Sequence, residues 1–206
     1  MERRPGFTLI EMLVVIAIIA ILSALVAVAV SHIMDGVRRD ATEATIRAIG
    51  GACRAYFTAS GDYPPTDLQE IGGTGLNDLN NGIEALTACL ASERGGGPKH
   101  YEGERIGNLD GDSAGSNITR WRYGDTQLRE IVDAWGYPLI YFHHRDYEGK
   151  NPRVLKYRLS RDAEPVQVRP ARNPKTNTFV GPGAFQLWSV GKDGIPGTGD
   201  DVVVDP

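Results

Sequence analysis

From Phe7 to Val30 the chain is apolar at almost every position, and Glu11 is the one ionisable side chain in the run. As a helix, a run of that length crosses the roughly 30 Å hydrocarbon core of a bilayer. From Ser31 to about Ala59 the spacing stays helical but becomes two-sided. Val37, Ala41, Ala44, Ala48 and Ala52 form one stripe, and Thr42, Ile46, Ile49, Cys53, Tyr56 and Phe57 form a bulkier second one. The bulkier stripe is predicted to lie under a globular domain, whereas Arg38, Arg39, Asp40, Glu43 and Arg47 mark wet or intersubunit surface. One helix is therefore predicted from Phe7 to near Ala59, with Gly36 and the pair Gly50-Gly51 as its weak points.

Gly61-Asp62-Tyr63-Pro64-Pro65 ends that helix, because neither proline can continue it and Gly61 supplies a left-handed cap. Helical spacing returns at Ile83, Leu86 and Leu90, which predicts a second helix over Asn81 to Ser92. Residues 93–124 are rich in Gly, Asp, Asn, Ser and Arg, lack an apolar period, and read as a long exposed insertion. Tyr137 to His143, Val154 to Leu159, Val166 to Val168 and Ala184 to Ser189 fit strands separated by turn residues. They predict an antiparallel meander packed on the helix. The fold class is α+β: a long N-terminal helix, then a globular domain with an additional helix and a small antiparallel sheet.

Composition adds an export signal. The 206 residues are 41% hydrophobic, which excludes disorder as the default, and the mean hydropathy of −0.25 conceals the apolar N-terminus. Arg3 and Arg4 precede the run and Asp35 is the first acid after it, so residues 1–6 are placed in the cytoplasm and the bulk of the chain outside. No small-residue cleavage site follows the run, so it is retained as a single-pass anchor. The formal charge of −4, with no basic block beyond the first residues, predicts no nucleic-acid partner. Cys53 and Cys89 permit at most one intrachain bridge, in a compartment where a disulfide persists. No Gly-x-Ser-x-Gly, His-Glu-x-x-His or P-loop word occurs, and no catalytic centre is predicted.

Glu11 is the anomaly, since a carboxylate in a lipid-facing helix costs roughly 2.5 to 3.5 kcal/mol near the bilayer centre and less near the interface. A shallow residue that snorkels or is protonated would account for it. The surrounding word Arg3-Arg4-Pro5-Gly6-Phe7-Thr8-Leu9-Ile10-Glu11-Met12-Leu13-Val14-Val15-Ile16 resembles the type III signal of type IV pilins and type II secretion pseudopilins. That resemblance implies cleavage by a prepilin peptidase after Gly6 and N-methylation of the new terminus, Phe7. It also gives Glu11 a partner, the α-ammonium of Phe7 on a neighbouring subunit, so that two burial penalties offset one another. The pairing would set the stagger between helices in a filament, as a buried polar residue sets register in a coiled coil. Where the family usually has a glycine and a proline in the membrane segment, this chain has Ala20 and Val28, so its helix is expected to be more continuous.

Further words resemble the major pseudopilin: Tyr63-Pro64-Pro65-Thr66, Gly82-Ile83-Glu84-Ala85-Leu86, and Asp133-Ala134-Trp135-Gly136-Tyr137-Pro138-Leu139-Ile140-Tyr141, with Ala134 where proline is usual. Near the C-terminus, residues 189–204 gather Asp193, Asp200 and Asp201 with Gly191, Gly194, Gly197 and Gly199. Calcium takes 6 to 8 oxygens, including carbonyls that only a permissive loop turns inward; a surface turn cluster is the competing reading. The segment resembles the calcium-binding C-terminal loop of the major pseudopilin, which implies Asp193, Asp200 and Asp201 as side-chain ligands, Val190 and Val204 as carbonyl donors, and a structural role for the ion. Asn108, Asp110 and Asp112 alternate like the start of an EF-hand, but Ser113 replaces the required glycine and Thr119 the terminal glutamate, so a solvated loop is favoured. His143 and His144 read as surface histidines that face opposite sides of a strand.

The organisation expected is a leader over 1–6, a transmembrane and filament-core helix over 7–30, its amphipathic continuation over 31–60, and a periplasmic domain over 61–206. The function expected is a structural subunit of a periplasmic pseudopilus for type II secretion, anchored in the inner membrane. Its partners would be copies of itself, prepilin peptidase, minor pseudopilins and the inner-membrane secretion platform. A surface type IV pilin, or a membrane-anchored exported enzyme, is the alternative.

Overall fold

The computed structural model describes residues 8–73, 77–91, 105–113 and 126–205. The chain divides into two compact units, residues 1–38 and 39–206. Helix α1 (Leu9–Ser60) is unbroken through Gly36, Gly50 and Gly51. Leu9–Ala27 within it is long and apolar enough to cross a membrane, and none of it is buried by the rest of the chain.

In the second unit α1 turns Thr42, Ile46, Ile49 and Cys53 into the core, while Phe57, from the same stripe, is exposed and leans on the Tyr63 ring at 4.7 Å. Helix α2 (Asn81–Ala91) is buried from Gly82 through Leu90. A helix that is apolar on nearly every side can only be stable inside a core, and Thr87 fits there because its hydroxyl donates back to the Ile83 carbonyl at 2.5 Å.

Among the described residues the unit also has seven short strands: β1 (Ile106–Gly107), β2 (Glu130–Ile131), β3 (Ile140–His143), β4 (Leu155–Tyr157), β5 (Val166–Val168), β6 (Phe185–Ser189) and β7 (Val202–Val203). They form three small antiparallel sheets, β1-β2, β3-β6-β7 and β4-β5. The α+β class is as expected, but the meander is not. β3 pairs with β6, Ile140 opposite Trp188 and His143 opposite Phe185. Its other edge is closed by side chains: the Tyr141 N–H donates to the Tyr157 hydroxyl at 3.1 Å and the His143 N–H to the Thr66 hydroxyl at 2.8 Å. With those donors satisfied, the edge has no need of β4, which pairs with β5 instead.

The insertion expected to be wholly exposed is in part structural. Residues 106–107 pair with 130–131, and 105–110 are half-buried. The remainder of 93–124, apart from 105–113, lies outside the described residues.

Candidate functional site

Thr8 and Glu11 form a capping box at the start of α1. The Glu11 Oε2 accepts the Thr8 N–H and the Thr8 hydroxyl, each at 2.7 Å, and the Glu11 N–H donates to the Thr8 hydroxyl oxygen at 3.3 Å. This arrangement satisfies donors that a helix N-terminus otherwise leaves open. The Thr-x-x-Glu word is a recognisable start signal, and it gives Glu11 a local role besides any intersubunit one. Gly6 and Phe7 lie outside the described residues.

The C-terminal acidic loop begins where β6 ends and is tied to the rest of the domain through Asp133. Asp133 is buried, and its Oδ1 accepts the N–H groups of Trp135 at 2.8 Å and Tyr137 at 3.0 Å. Its Oδ2 accepts the Ser189 hydroxyl at 2.5 Å, and the Ser189 oxygen in turn accepts the Gly191 N–H at 3.0 Å. Burial pushes the Asp133 carboxyl above its ordinary range, against the hydrogen bonds from Ser189 and the Tyr137 and Trp135 backbone. The same turn is pinned to α1, because Ala134 N–H donates to the Thr42 hydroxyl oxygen at 3.1 Å. The Asp133 to Tyr137 word and the Ser189-x-Gly191 word are thus one hydrogen-bonded unit at the base of the loop.

Inside the loop the carboxylates accept hydrogen bonds from the loop's own N–H groups and from Thr198. Asp200 accepts the Asp193 N–H at 2.9 Å and the Thr198 hydroxyl at 2.6 Å, Asp193 accepts the Ile195 N–H at 2.8 Å, and Asp201 Oδ2 accepts the Gly197 N–H at 2.9 Å. Asp201 Oδ1 is buried without a partner. Burial first, then Asp200 and Asp193, push the Asp201 carboxyl up to about 6, although the Gly197 N–H opposes this. Gly191 has φ +70°, and a Cβ there would come within 2.4 Å of the Asp200 carbonyl oxygen, so only glycine lets the two limbs of the loop meet. The orphaned Asp201 oxygen and the tight closure at Gly191 are local features of the loop; Asp193, Asp200 and Asp201 are not among the described groups whose ligand oxygens all lie within 4.8 Å of one another. Val190 sits at the loop's mouth. Val204 follows β7, whose register sets Val203 opposite Trp188 and Val202 opposite Ser189.

Cys53 and Cys89 are both buried and both free thiols in the structure, so the bridge is not formed there. Burial raises both thiols, Cys89 to about 11. The expectation of surface histidines fails for His143, which is 1% exposed. A 3-10 turn starting at His144 ends the strand alternation, so the two rings stack at 4.4 Å rather than facing apart. With Asp62 they form a cluster of metal-ligand type. Both His143 nitrogens are committed, however: Nε2 bonds Asp62 at 2.9 Å and Nδ1 accepts the Arg145 N–H at 3.2 Å. No lone pair remains for an ion.

Residues 1–27 match the family model of the prokaryotic N-terminal methylation motif, the signature of type IV pilins and pseudopilins. No curated protein and no solved structure matches the chain. The motif implies processing by prepilin peptidase and filament assembly in general, and supports a type IV pilin-like or pseudopilin subunit.

Proposed function

We infer that the chain is a processed filament subunit of a periplasmic pseudopilus that serves type II secretion. The observation that carries this reading is the exposed apolar segment Leu9–Ala27, which lies within the residues matched by the methylation motif. Apolar surface of that extent must be covered. Lipid covers it before assembly and neighbouring copies of α1 cover it in the filament. The secretion role, rather than a surface pilus, rests on the C-terminal loop, whose glycine closure and orphaned Asp201 oxygen suit the calcium-type loop that the sequence resembles.

The first test is mass spectrometry of the mature protein from cells with an active prepilin peptidase. The N-terminus should be methylated Phe7, and a chain that retains Met1 sinks the reading. Deleting the gene should then strand exported proteins in the periplasm without removing surface fibres; the reverse outcome assigns the chain to a surface pilus.

The loop has its own readout. Lys192 is exposed at its start, so trypsin should cut the detergent-solubilised chain after Lys192 several times faster in chelator than in millimolar calcium. Asp201→Asn should erase that protection. Equal cleavage rates with and without calcium would reduce the segment to an acidic turn.

A further inference from the structure

The half-EF-hand spacing Asn108, Asp110, Asp112 acquires from another element the carboxylate that its own loop lacks. Glu84, in the first turn of α2, is 1% exposed, and its Oε1 has no hydrogen-bond partner. One carboxylate oxygen from each of Glu84, Asp110 and Asp112 lies within 4.8 Å of the others. Asp110 Oδ1 and Asp112 Oδ1 are likewise buried and unpartnered. Oxygens on opposite sides of one calcium ion, each about 2.3 to 2.6 Å away, stand about 5 Å apart, so this spacing suits a shared ion.

The loop is built to present these groups. Gly111, at φ +79°, lets the chain reverse between the two aspartates. Asn108 holds the reversal, accepting the Gly111 N–H at 2.7 Å and donating to the Asp112 carbonyl at 2.8 Å. Asn77 Nδ2 reaches the Oδ2 atoms of Asp110 at 2.9 Å and Asp112 at 3.0 Å, which leaves both Oδ1 atoms as the open positions. Pairing of β1 with β2 brings the loop over α2, and Glu130 of β2 accepts the Leu109 N–H at 3.0 Å.

Among the described residues no cation is paired with this cluster: none of the ion pairs includes Glu84, Asp110, Asp112 or Glu130. Removing a carboxylate from water without a partner is among the costliest arrangements in a core, and a bound cation would meet all three unpartnered oxygens at once.

We propose that Glu84, Asp110 and Asp112 form a divalent-cation site for calcium, distinct from the C-terminal loop, that clamps the 105–113 segment onto α2. Calcium is favoured over magnesium because three protein carboxylates in an irregular array suit its larger and more flexible shell, whereas magnesium keeps most of its waters and takes one or two carboxylates.

The test uses the full-length, detergent-solubilised chain, stripped by chelator, in an Asp200→Asn/Asp201→Asn background that silences the C-terminal loop. Calorimetric titration with calcium should find one ion per chain. Glu84→Gln should weaken it at least tenfold, and so should Asp112→Asn, which alters a half-buried loop and leaves the core untouched. A tenfold excess of magnesium should leave the calcium titration in place. No ion bound in that background, or unchanged affinity in both variants, overturns the site; tighter binding of magnesium than of calcium overturns the choice of ion.

Discussion

Glu11→Ala should leave membrane insertion intact and reduce filament assembly by two orders of magnitude or more. The substitution makes Leu9–Ala27 more apolar, so partition into the bilayer can only improve, by up to about 3 kcal/mol for a carboxylate held deep. Two interactions are lost. The first is the capping box with Thr8, worth about 1 kcal/mol at an exposed helix start. The second is the counter-charge that the proposed pairing gives the Phe7 ammonium of the adjacent subunit, and breaking a buried pair by removing one partner costs about 3 to 5 kcal/mol. The second term dominates, and it recurs at every subunit added. Glu11→Gln separates the two, because its amide oxygen still accepts the Thr8 N–H while the charge is gone. Assembly should fail in both variants, as measured by filament yield under native expression with membrane-fraction levels held equal. Wild-type yield in Glu11→Gln would assign the residue to the cap alone.

What could be read from the chain depended on how local the cause was. The apolar run, the stripe Thr42, Ile46, Ile49, Cys53 and the end of α1 at Gly61 follow from period and cap chemistry within a few residues. The short strands were legible for the same reason, but their partners were not. At the outer edge of β3 the backbone donors are met by side chains, the hydroxyls of Tyr157 from β4 and of Thr66 from the loop after α1, rather than by the β4 backbone. Phe57 shows the limit of a stripe, since spacing marks a face but not where the core beneath it ends.

The sites divide along the same line. The C-terminal loop is legible because its acids and glycines are contiguous. The cluster around Asp112 was illegible because its buried member, Glu84, is distant in sequence and sits in a helix whose other residues are core. A charged residue in the first turn of an otherwise apolar short helix is the signal that was present. The Thr8-Glu11 box was also local and readable, but the cost of Glu11 in lipid drew attention to long-range partners first.

Gly82→Ala should lower the melting temperature of the second unit by about 5 to 10 °C, whereas Gly51→Ala should raise it slightly. Both glycines lie in helices, where alanine is intrinsically better by about 1 kcal/mol. Their surroundings decide the sign. Around Gly51 nothing lies within 4 Å of an added Cβ, so the propensity gain stands alone. At Gly82 the Cβ would sit 2.5 Å from the Tyr141 carbonyl oxygen, 2.8 Å from the Tyr157 hydroxyl and 3.3 Å from Leu155 Cδ1. The first is β3 backbone and cannot swing away. The second is held by the Tyr141 N–H, so displacing it uncovers the edge of β3 that keeps β4 out of the sheet. Overpacking of this kind costs about 1 to 3 kcal/mol or more, and relief requires α2 to lift from the core, which outweighs the gain in propensity. At about 2 to 4 °C per kcal/mol for a domain of this size, a net loss of about 2 to 3 kcal/mol gives the stated shift. The measurement is thermal unfolding of the full chain in detergent, followed by near-ultraviolet dichroism of the buried tyrosines. A Gly82→Ala protein that melts with or above wild type would mean that α2 does not rest against β3 at this distance, and the close approach that organises the core would have to be redrawn.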